Sequence, residues 1–506
     1  MKNNLLNSIF ITGFLSVTGN CMAQDGTLDV SFGSSGIVQT ISTHEAFGMT
    51  IQPDNKIIVV GSIYMGPGND DIAIVRYNAN GSLDNSFGSS GIINVDFNGK
   101  NDAASSIELQ SDGKIIVVGS AQNSSNNNSD IAVIRLNSNG TFDNSFAING
   151  KYQLDVDGFA GDKVIDVRLQ SDGKIVLAAM AGTDMFAKIA VVRLNTNGTL
   201  DNTFDGDGIL KAFSFGSFTL SSPLSLALQS DGKILIAGSK NNNFAVARLN
   251  TDGSLDNTYG TSGIFSGTDM SSASRIYLQS DGKLLATYSH ASQTSIIVIR
   301  LNSNGTMDTG FGTSGKVSTA LGTPSTYDFA LDLAIQTNGK IIVAGSSYST
   351  STISDFVVAR YNSNGTIDNT FGATSNGTVI TSVATTDEDR GKAVKLQSDG
   401  KIVVAGSKCT GSCDFVLLRY QNQDGASGIL ETNGKKEIKL YPNPNHGEFT
   451  ILGTTPGLIE ITDLTGRLIS TYKTDVGENQ ISENIPAGVY FMYDKINNSI
   501  QKLIIH

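Results

Sequence analysis

The phrase "LQSDGKIVVAGS", Leu396 to Ser407, occurs in seven variant copies along this chain of 506 residues. In each copy, "SDG" or a related tripeptide separates two apolar stretches, and its Gly or Asn suits the positive φ of a tight hairpin turn. The second stretch is an unbroken β-branched run, which is typical of a strand covered on both faces. We therefore predict a β-hairpin at every copy, and the others span residues 51–62, 109–120, 169–180, 228–239, 278–289 and 335–346.

The copies form a long-period repeat, which indicates several strands in each unit. Measured between their lysines, the copies are 50 to 61 residues apart, and we count four strand-like pieces in a unit. In the second unit these pieces are "GIINVDF" from Gly91, "ASSIELQ" from Ala104, "KIIVVGS" from Lys114 and "DIAVIRLN" from Asp130. A connection of the type "DGTLDVSFGSSG", at Asp25, precedes the first unit. Similar connections follow every fourth strand except the last, "DFVLLRY" from Asp414. A closed ring lets the first connection dock beside this last strand. We predict an all-β protein with a seven-bladed β-propeller over residues 24–421; the alternative is an open repeat array.

A complete copy of the repeat is "DGKILIAGSKNNNFAVARLNTDGSLDNTYG", Asp231 to Gly260. It resembles the delta-60 repeat family, whose members are extracytoplasmic bacterial proteins with tandem copies of about this length. The resemblance implies the propeller architecture and no particular activity.

Each unit also carries an Arg near the end of its fourth strand and an Asp in the connection. A fold needs its braces in every blade, whereas an active site needs its groups once. We therefore interpret these residues as structural partners and not as ligands. The aromatic residue after the Asp, such as Phe32 or Phe87, is interpreted as a packing anchor between blades. The pairs are formed from Arg76, Arg135, Arg193, Arg248, Arg300, Arg360 and Arg419 with Asp29, Asp84, Asp143, Asp201, Asp256, Asp308 and Asp368.

The N-terminus is typical of a secretory signal peptide. One Lys precedes a mostly apolar stretch and then small residues, so we predict a signal peptide over residues 1–23 with cleavage at Ala23. The alternatives are a buried N-terminal element, or a lipoprotein with Cys21 as the lipid acceptor. No other stretch approaches the ~18 consecutive apolar residues of a membrane-spanning helix, so we expect no transmembrane segment.

The C-terminus follows a different pattern. After a polar linker, residues 422–436, short alternating strands predict a small β-sandwich over residues 437–506. The segments "YPNP", "DLTGR", "PAGVYF" and "KLIIH" resemble the type A C-terminal sorting domain of the type IX secretion system of Bacteroidota. The resemblance implies delivery to the secretion machinery, and hence a secreted or cell-surface protein on the outer membrane exterior. The alternative is a fibronectin-like accessory module, and the motif residues are Tyr441, Pro442, Asn443, Pro444, Gly466, Gly488 and Lys502.

Two cysteines follow the predicted signal peptide, Cys409 and Cys413. They flank a short loop between two predicted strands, and export passes through an oxidising compartment. We predict a disulfide, and one alternative is a pair of free thiols. A metal site is a further alternative, but no third or fourth ligand lies nearby in the sequence.

Composition excludes several classes of function. The net charge of −12 and the absence of a Lys/Arg run argue against a nucleic-acid partner. With four His residues, no triad or zinc cluster can be assembled, and phosphate-binding and nucleophile-elbow motifs are absent. We therefore expect no catalytic, cofactor-binding or metal-binding residues. The acidic turn "DGDG", Asp205 to Gly208, lacks the spacing of a Ca²⁺ loop and is interpreted as a solvated turn.

We expect an exported binding or scaffold module, a monomer, whose variable loops contact a glycan or a surface protein. The alternative is a polysaccharide-degrading enzyme with its site at the propeller pore. Such an enzyme would break the repeat with carboxylates at the pore, and the departures that we find, in units three, four and five, add no carboxylate pair.

Overall fold

The structure is a computed structural model. It describes residues 24–40, 45–124, 128–156, 158, 161–182, 188–213, 225–240, 243–270, 272–289, 295–321, 327–348, 354–383, 388–422, 439–441, 448–453, 457–463, 468–475, 477–482, 486, 488–494 and 499–505. The chain divides into two compact units, Met1–Asp424 and Gly425–His506. Throughout the described ranges the regular elements are strands.

The first unit is a seven-bladed β-propeller, as predicted. Its described strands form seven four-stranded antiparallel sheets, the blades. In chain order they are β1 (Ile37–Thr40), β2 (Ala46–Ile51), β3 (Ile57–Tyr64), β4 (Asp70–Tyr77), β5 (Ile92–Val95), β6 (Asp102–Leu109), β7 (Ile115–Gln122), β8 (Ser129–Leu136), β9 (Lys151–Leu154), β10 (Lys163–Leu169), β11 (Ile175–Ala181), β12 (Lys188–Leu194), β13 (Ile209–Phe213), β14 (Ser225–Leu228), β15 (Ile234–Lys240), β16 (Asn243–Leu249), β17 (Ile264–Met270), β18 (Ser272–Leu278), β19 (Leu284–Ser289), β20 (Ile296–Leu301), β21 (Lys316–Thr319), β22 (Tyr327–Ile335), β23 (Ile341–Tyr348), β24 (Asp355–Tyr361), β25 (Thr378–Thr381), β26 (Glu388–Leu396), β27 (Ile402–Thr410) and β28 (Ser412–Tyr420). Blade 1 is β2 to β5, each following blade takes the next four strands, and blade 7 is β26, β27, β28 and β1.

The blade boundary differs from the predicted repeat unit by one strand. The repeat predicts that the strand at Gly91 comes first in the second unit, but its residues in β5 pair with β4 and complete blade 1. The connection explains this difference, because it folds back on the end of β4. The Asp84 amide donates to the Arg76 carbonyl, and the Arg76 amide donates to the Gly91 carbonyl. The chain therefore returns antiparallel to the strand that it has just left.

The ring closes through the N-terminal segment. Strand β1 pairs antiparallel with β28, in register from Ile37 opposite Leu418 to Thr40 opposite Phe415. Ahead of β1, the Asp29 amide donates to the Arg419 carbonyl at 2.8 Å. The first segment of the chain is thus the outer strand of the last blade, and the otherwise open edge of β28 is covered.

The middle strands of each blade are buried on both faces, which explains their unbroken apolar runs. In β3, Ile58 and Val60 pack in one cluster with Val117 of blade 2. Val59, on the opposite face, packs with Val403 of blade 7. The hydrophobic core is therefore a series of layers between adjacent blades that continues across the seam.

The repeated hairpin turn has the predicted backbone conformation. In blade 2, the Gln110 amide donates to the Lys114 carbonyl, and Gly113 has a φ of +84°. In blade 1, Asn55 occupies this position with a φ of 64°. Asn tolerates the left-handed region better than other side chains do, so the turn persists without Gly.

The second unit is a small β-sandwich. Its described sheets have the strand orders β29-β30-β33 and β32-β31-β34-β35. Phe449, Ile461, Met492 and Leu503 belong to its core. The strands are β29 (Lys439–Tyr441), β30 (Glu448–Gly453), β31 (Gly457–Thr462), β32 (Leu468–Thr474), β33 (Gly477–Ser482), β34 (Gly488–Asp494) and β35 (Ser499–Ile505).

Candidate functional site

All seven Arg–Asp pairs that the sequence predicts are in contact in the structure. In every blade the Arg Nε atom lies 2.6 to 2.8 Å from the Asp Oδ2 atom, and the Asp side chains are buried. The guanidinium also lies over the following aromatic ring, 4.2 to 4.8 Å from its centre. We call each such cluster of Arg, Asp and aromatic ring a brace.

The braces contain a third charged group that the sequence reasoning missed. The Lys of the "SDGK" phrase reaches the same carboxylate, as in Lys174 to Asp201 at 3.2 Å and Lys233 to Asp256 at 2.7 Å. This Lys recurs together with the Asp in every unit, and the recurrence could have indicated that the two residues are in contact. Burial by itself raises the pKa of Asp201, but hydrogen bonds from Thr203 and Lys174, with the charge of Arg193, outweigh it and lower the pKa to about 2.

Each brace also joins two blades. The Nη1 atom of Arg193 donates to the carbonyl of Thr251, in the turn of the following unit. Arg360, in blade 6, makes the corresponding contact with the segment that follows β28 of blade 7 and with the N-terminal segment. Its Nη1 atom donates to the side chains of Asn422 and Asp25, each at 2.7 Å. The repetition and these inter-blade contacts identify the braces as structural elements.

The central channel has a different character. Its wall is formed by the inner strands β2, β6, β10, β14, β18, β22 and β26, and it encloses a cavity of about 630 Å³. A wider cavity of about 1390 Å³, bordered by the hairpin turns of blades 3 to 6, shares Tyr277, Leu169 and Ile335 with it. The two cavities are therefore adjoining parts of one channel.

The charged side chains in the channel, unlike the braces, do not recur in every blade. The residue before the last aliphatic position of each inner strand is, in chain order, Thr50, Glu108, Arg168, Ala227, Tyr277, Ala334 and Lys395. Two positions earlier the residues are Gly48, Ser106, Asp166, Ser225, Arg275, Asp332 and Ala393. We missed these positions in the sequence analysis. We compared two parts of each repeat, the strand after the hairpin turn and the connection, and did not compare the strand before the turn. Aligning the strand before the turn would have revealed them.

These side chains form one ion-pair network across the channel. Arg168 Nη1 lies 2.7 Å from Asp166 Oδ1 and 3.8 Å from Glu108 Oε2. Arg275 joins Asp166, at 3.1 Å, to Asp332, at 2.8 Å. Lys395 Nζ lies 3.5 Å from the other oxygen of Asp332. The network thereby links blades 2, 3, 5, 6 and 7.

Two buried carboxylates, those of Asp166 and Asp332, anchor this network. Asp166 is fully buried and also accepts hydrogen bonds from Ser106, Ser225 and the Leu226 amide. Burial by itself raises the pKa of Asp166, but the charges of Arg168 and Arg275 and these hydrogen bonds lower it overall. The pKa of Glu108, in contrast, is raised, chiefly by burial. Asp166 and Asp332 therefore hold the two arginines in place at the cavity.

The remaining predicted residues lie as follows. Cys409 and Cys413 form a disulfide at the tip of the β27–β28 hairpin. Glu45 approaches both sulfur atoms, and this is the only group of three metal-ligand side chains in the described part of the chain. Because the sulfur atoms are bonded to each other, they are not available as thiolate ligands. At the acidic turn, Asp207 accepts a hydrogen bond from the Ile209 amide.

The sorting-motif residues belong to the second unit. Tyr441 ends β29, Gly488 begins β34 and Lys502 lies in β35. Outside the described residues lie Ala23, Pro442, Asn443, Pro444 and Gly466. The described residues contain no helix with the length and apolar character that crossing a membrane requires.

Comparison with protein families agrees with this architecture. The model described as "Domain of unknown function (DUF5122) beta-propeller" matches residues 52–87, 110–146, 170–204, 229–259, 279–311, 336–371 and 397–426. The chain carries seven DUF5122 propeller repeats. A second model, "Secretion system C-terminal sorting domain", matches residues 439–506. The repeat and sorting-domain predictions are thereby confirmed, and a Bacteroidota source is consistent with both. The sorting domain indicates export through the type IX secretion machinery, so the DUF5122 propeller is secreted or attached to the cell surface.

A search of curated proteins finds no match to the chain. Solved structures with some similarity include a protein of unknown function from Dyadobacter fermentans, at 11% identity and a TM-score of 0.40, over 65% of this chain and 97% of that one. Regucalcin, a calcium-binding protein from Agrobacterium tumefaciens, matches at 11% identity and a TM-score of 0.33, over 60% of this chain and 83% of that one. Drosophila Semaphorin 1b matches at 9% identity and a TM-score of 0.35, over 80% of this chain and 85% of that one.

Proposed function

We propose that the exported propeller is a binding module that takes a polar ligand into its central channel. The observation that carries this proposal is the contrast between two sets of charged residues. The braces occur in all seven blades, whereas Glu108, Arg168, Arg275 and Lys395 each occur in one blade only. Groups that a fold needs are repeated, and groups that a ligand needs are placed once.

The energetics of the network support this assignment. Removing paired charges from water costs free energy that their attraction often fails to recover, and apolar side chains of similar size pack at least as stably. Ala227 and Ala334 show that the same strand position accepts an apolar residue in other blades. The ion pairs are therefore not required to close the ring. What they provide is a set of polar groups fixed in position before a ligand arrives.

Tyr277 indicates a carbohydrate as the ligand. Its side chain is 41% exposed, although it lies on an inner strand, and it lines both cavities of the channel. An aromatic face beside hydrogen-bonding side chains is suited to a ring that has one apolar face and polar edges. A cavity of about 630 Å³ is within the usual size of small-ligand sites.

A second candidate function, polysaccharide cleavage, has one observation in its favour. Glu108 and Asp166 share Arg168, and their pKa values are shifted in opposite directions. Such divergence is typical of a carboxyl pair that divides acid and base roles. Asp166, however, is fully buried, and its carboxylate oxygens are hydrogen-bonded to groups of the protein such as Ser225 and the Leu226 amide. It therefore cannot contact a substrate. This observation favours binding over cleavage.

The experiment that tests the proposed function is a glycan array of plant and algal oligosaccharides, probed with the purified protein and followed by product analysis. The key variant is Tyr277→Ala. Its matched control is Tyr327→Ala, which removes another exposed tyrosine of an inner strand that borders neither of these cavities. We expect binding without product, weakened about tenfold by Tyr277→Ala alone. Product release would favour the enzyme, and equal binding by both variants would place the ligand outside the channel.

A further inference from the structure

The channel contains a second set of residues, which lie at β-bulges and whose side chains vary between blades. In the inner strands of blades 1, 2, 3, 5, 6 and 7, one residue is skipped in the pairing with the next strand. A bulge redirects a side chain and is common beside functional sites. All the skipped residues line the cavity, and they are Phe47, Ser105, Ile165, Ser274, Leu331 and Lys392.

Two lysines converge on one of these bulge residues. The ammonium groups of Lys163 and Lys392 lie 6.0 and 5.8 Å from the centre of the Phe47 ring. Both lysines line the cavity, and Lys392 is itself the bulge residue of blade 7. The three strands involved, β10, β26 and β2, belong to blades 3, 7 and 1. Only the closed ring brings these side chains together.

These lysines differ from the other channel cations because no described carboxylate pairs with them. Arg168, Arg275 and Lys395 each contact a carboxylate of the ion-pair network. The described contacts of Lys163 and Lys392 are with the Phe47 ring. Since the three network cations balance three carboxylates, the two lysines are an excess of positive charge in the cavity.

The environment of Lys392 is unfavourable for an ammonium group. Burial lowers its pKa; Glu45 opposes this shift, and the charges of Arg390 and Lys163 add to it. The Glu45 carboxylate is already bound to Arg390, at 2.5 Å. An anion between the two ammonium groups would relieve their repulsion and replace the water that burial removes.

We propose that this end of the channel binds an acidic glycan, whose carboxylate or sulfate group lies between Lys163 and Lys392, beside the ring of Phe47. This inference rests on the proposed function and specifies the ligand of the same channel. The sugar ring extends toward Arg275 and Tyr277, which fix its hydroxyl groups and its apolar face. The anionic group gives the site its selectivity, because a neutral sugar leaves both lysines without a partner.

The test compares acidic and neutral forms of the same sugar by isothermal titration calorimetry on the full-length exported protein. The probes are trigalacturonate with its methyl ester, and a sulfated galactose trisaccharide with its unsulfated form. We expect one or both acids to bind at least about tenfold more tightly than the matching neutral sugar, with an affinity that falls as salt is added. A preference for trigalacturonate or for the sulfated sugar identifies the anionic group.

Variants then locate the anion. The double variant Lys163→Gln with Lys392→Gln is expected to lose about a hundredfold in affinity for the acid and little for the matching neutral sugar. Lys151→Gln is the matched control, since the Lys151 ammonium lies 5.1 and 5.3 Å from the rings of Phe97 and Phe142 and outside the cavity. It should bind like the unmodified protein, and thermal unfolding should show that all variants are folded.

The outcomes separate this inference from the proposed function. Equal affinity for each acid and its matching neutral sugar, or an unchanged affinity of the double lysine variant, overturns the acidic-glycan site. If neutral sugars still bind in a manner that depends on Tyr277, the channel remains the binding site. Failure of both acidic probes to bind also overturns the inference, whatever neutral sugars do.

Discussion

Arg419 and Asp29 are 390 residues apart in the chain, yet the Nε atom of Arg419 donates a 2.8 Å hydrogen bond to the Asp29 carboxylate. Both side chains are buried, and the Arg419 guanidinium lies over the Phe32 ring. In the other blades the paired Arg and Asp are 8 residues apart in the chain. The seam is therefore built from the ordinary repeat contact, divided between the two ends of the propeller.

The seam brace should contribute as much stability as a brace within the chain. Arg419→Ala leaves a buried carboxylate without its main partner, so we expect a loss of about 3 kcal/mol in the free energy of unfolding. Arg193→Ala is the matched control and should cost a similar amount. Urea unfolding measures both, and adding Asp29→Ala to Arg419→Ala should cost much less than either single change. A loss under about 1 kcal/mol for Arg419→Ala would contradict the seam brace.

Deleting residues 24–40 should open the ring. The deletion removes β1 and half of the seam brace, and it exposes the edge of β28. Exposed edges pair with other chains, so we expect association in size-exclusion chromatography and loss of cooperative unfolding. The matched control is a permuted chain that carries residues 24–40 after Gln421, where blade 7 becomes contiguous. This control should remain monomeric and cooperative, and a monomeric, stable deletion variant would contradict ring closure through β1.

Acid should weaken the braces. The pKa of Asp201 is about 2 in the folded protein, below the value of about 4 that an unfolded chain gives. A carboxyl with a lowered folded pKa contributes stability that is complete above the unfolded pKa. This contribution is lost as the pH falls through about 4 toward 2. Urea midpoints should therefore drop across this interval, and the drop should be smaller in Asp201→Asn. An identical pH dependence in the variant would contradict the assignment.

The disulfide between Cys409 and Cys413 should be present in the exported protein. Intact-mass measurement after alkylation without reduction is expected to show no added alkyl group. Two additions would contradict the bridge. Because the loop between the cysteines is so short, reduction should cost on the order of 2 kcal/mol or less. The double variant Cys409→Ser with Cys413→Ser should therefore remain folded at ambient temperature.

The architecture was predictable from the sequence because its determinants are local and repeated. The "SDG" turns specify hairpins, and the unmatched connection at Asp25 indicates a ring whose seam lies between Asp29 and Arg419. The sequence did not indicate which strand completes each blade. That depends on how the connection folds back onto β4, through the paired amides and carbonyls of Arg76 and Asp84.

The channel was harder to predict, since its residues come from strands that do not neighbour one another. Arg275 and Asp166 belong to blades 5 and 3, and only the curvature of the ring brings them within 3.1 Å. The bulges are also hard to predict, because the apolar pattern of the strand does not show that a residue such as Lys392 is skipped in the strand pairing. Comparing the inner strands position by position exposes the charges but not their pairing.

A crystal structure of the complex would show whether the ligand binds in the channel or outside it. The protein would be crystallised with the oligosaccharide that binds most tightly on the array. We expect ligand density inside the ring, in contact with Tyr277 and Arg275. Density only on the outer surface of the propeller, with an empty channel, would show that the channel is not the binding site.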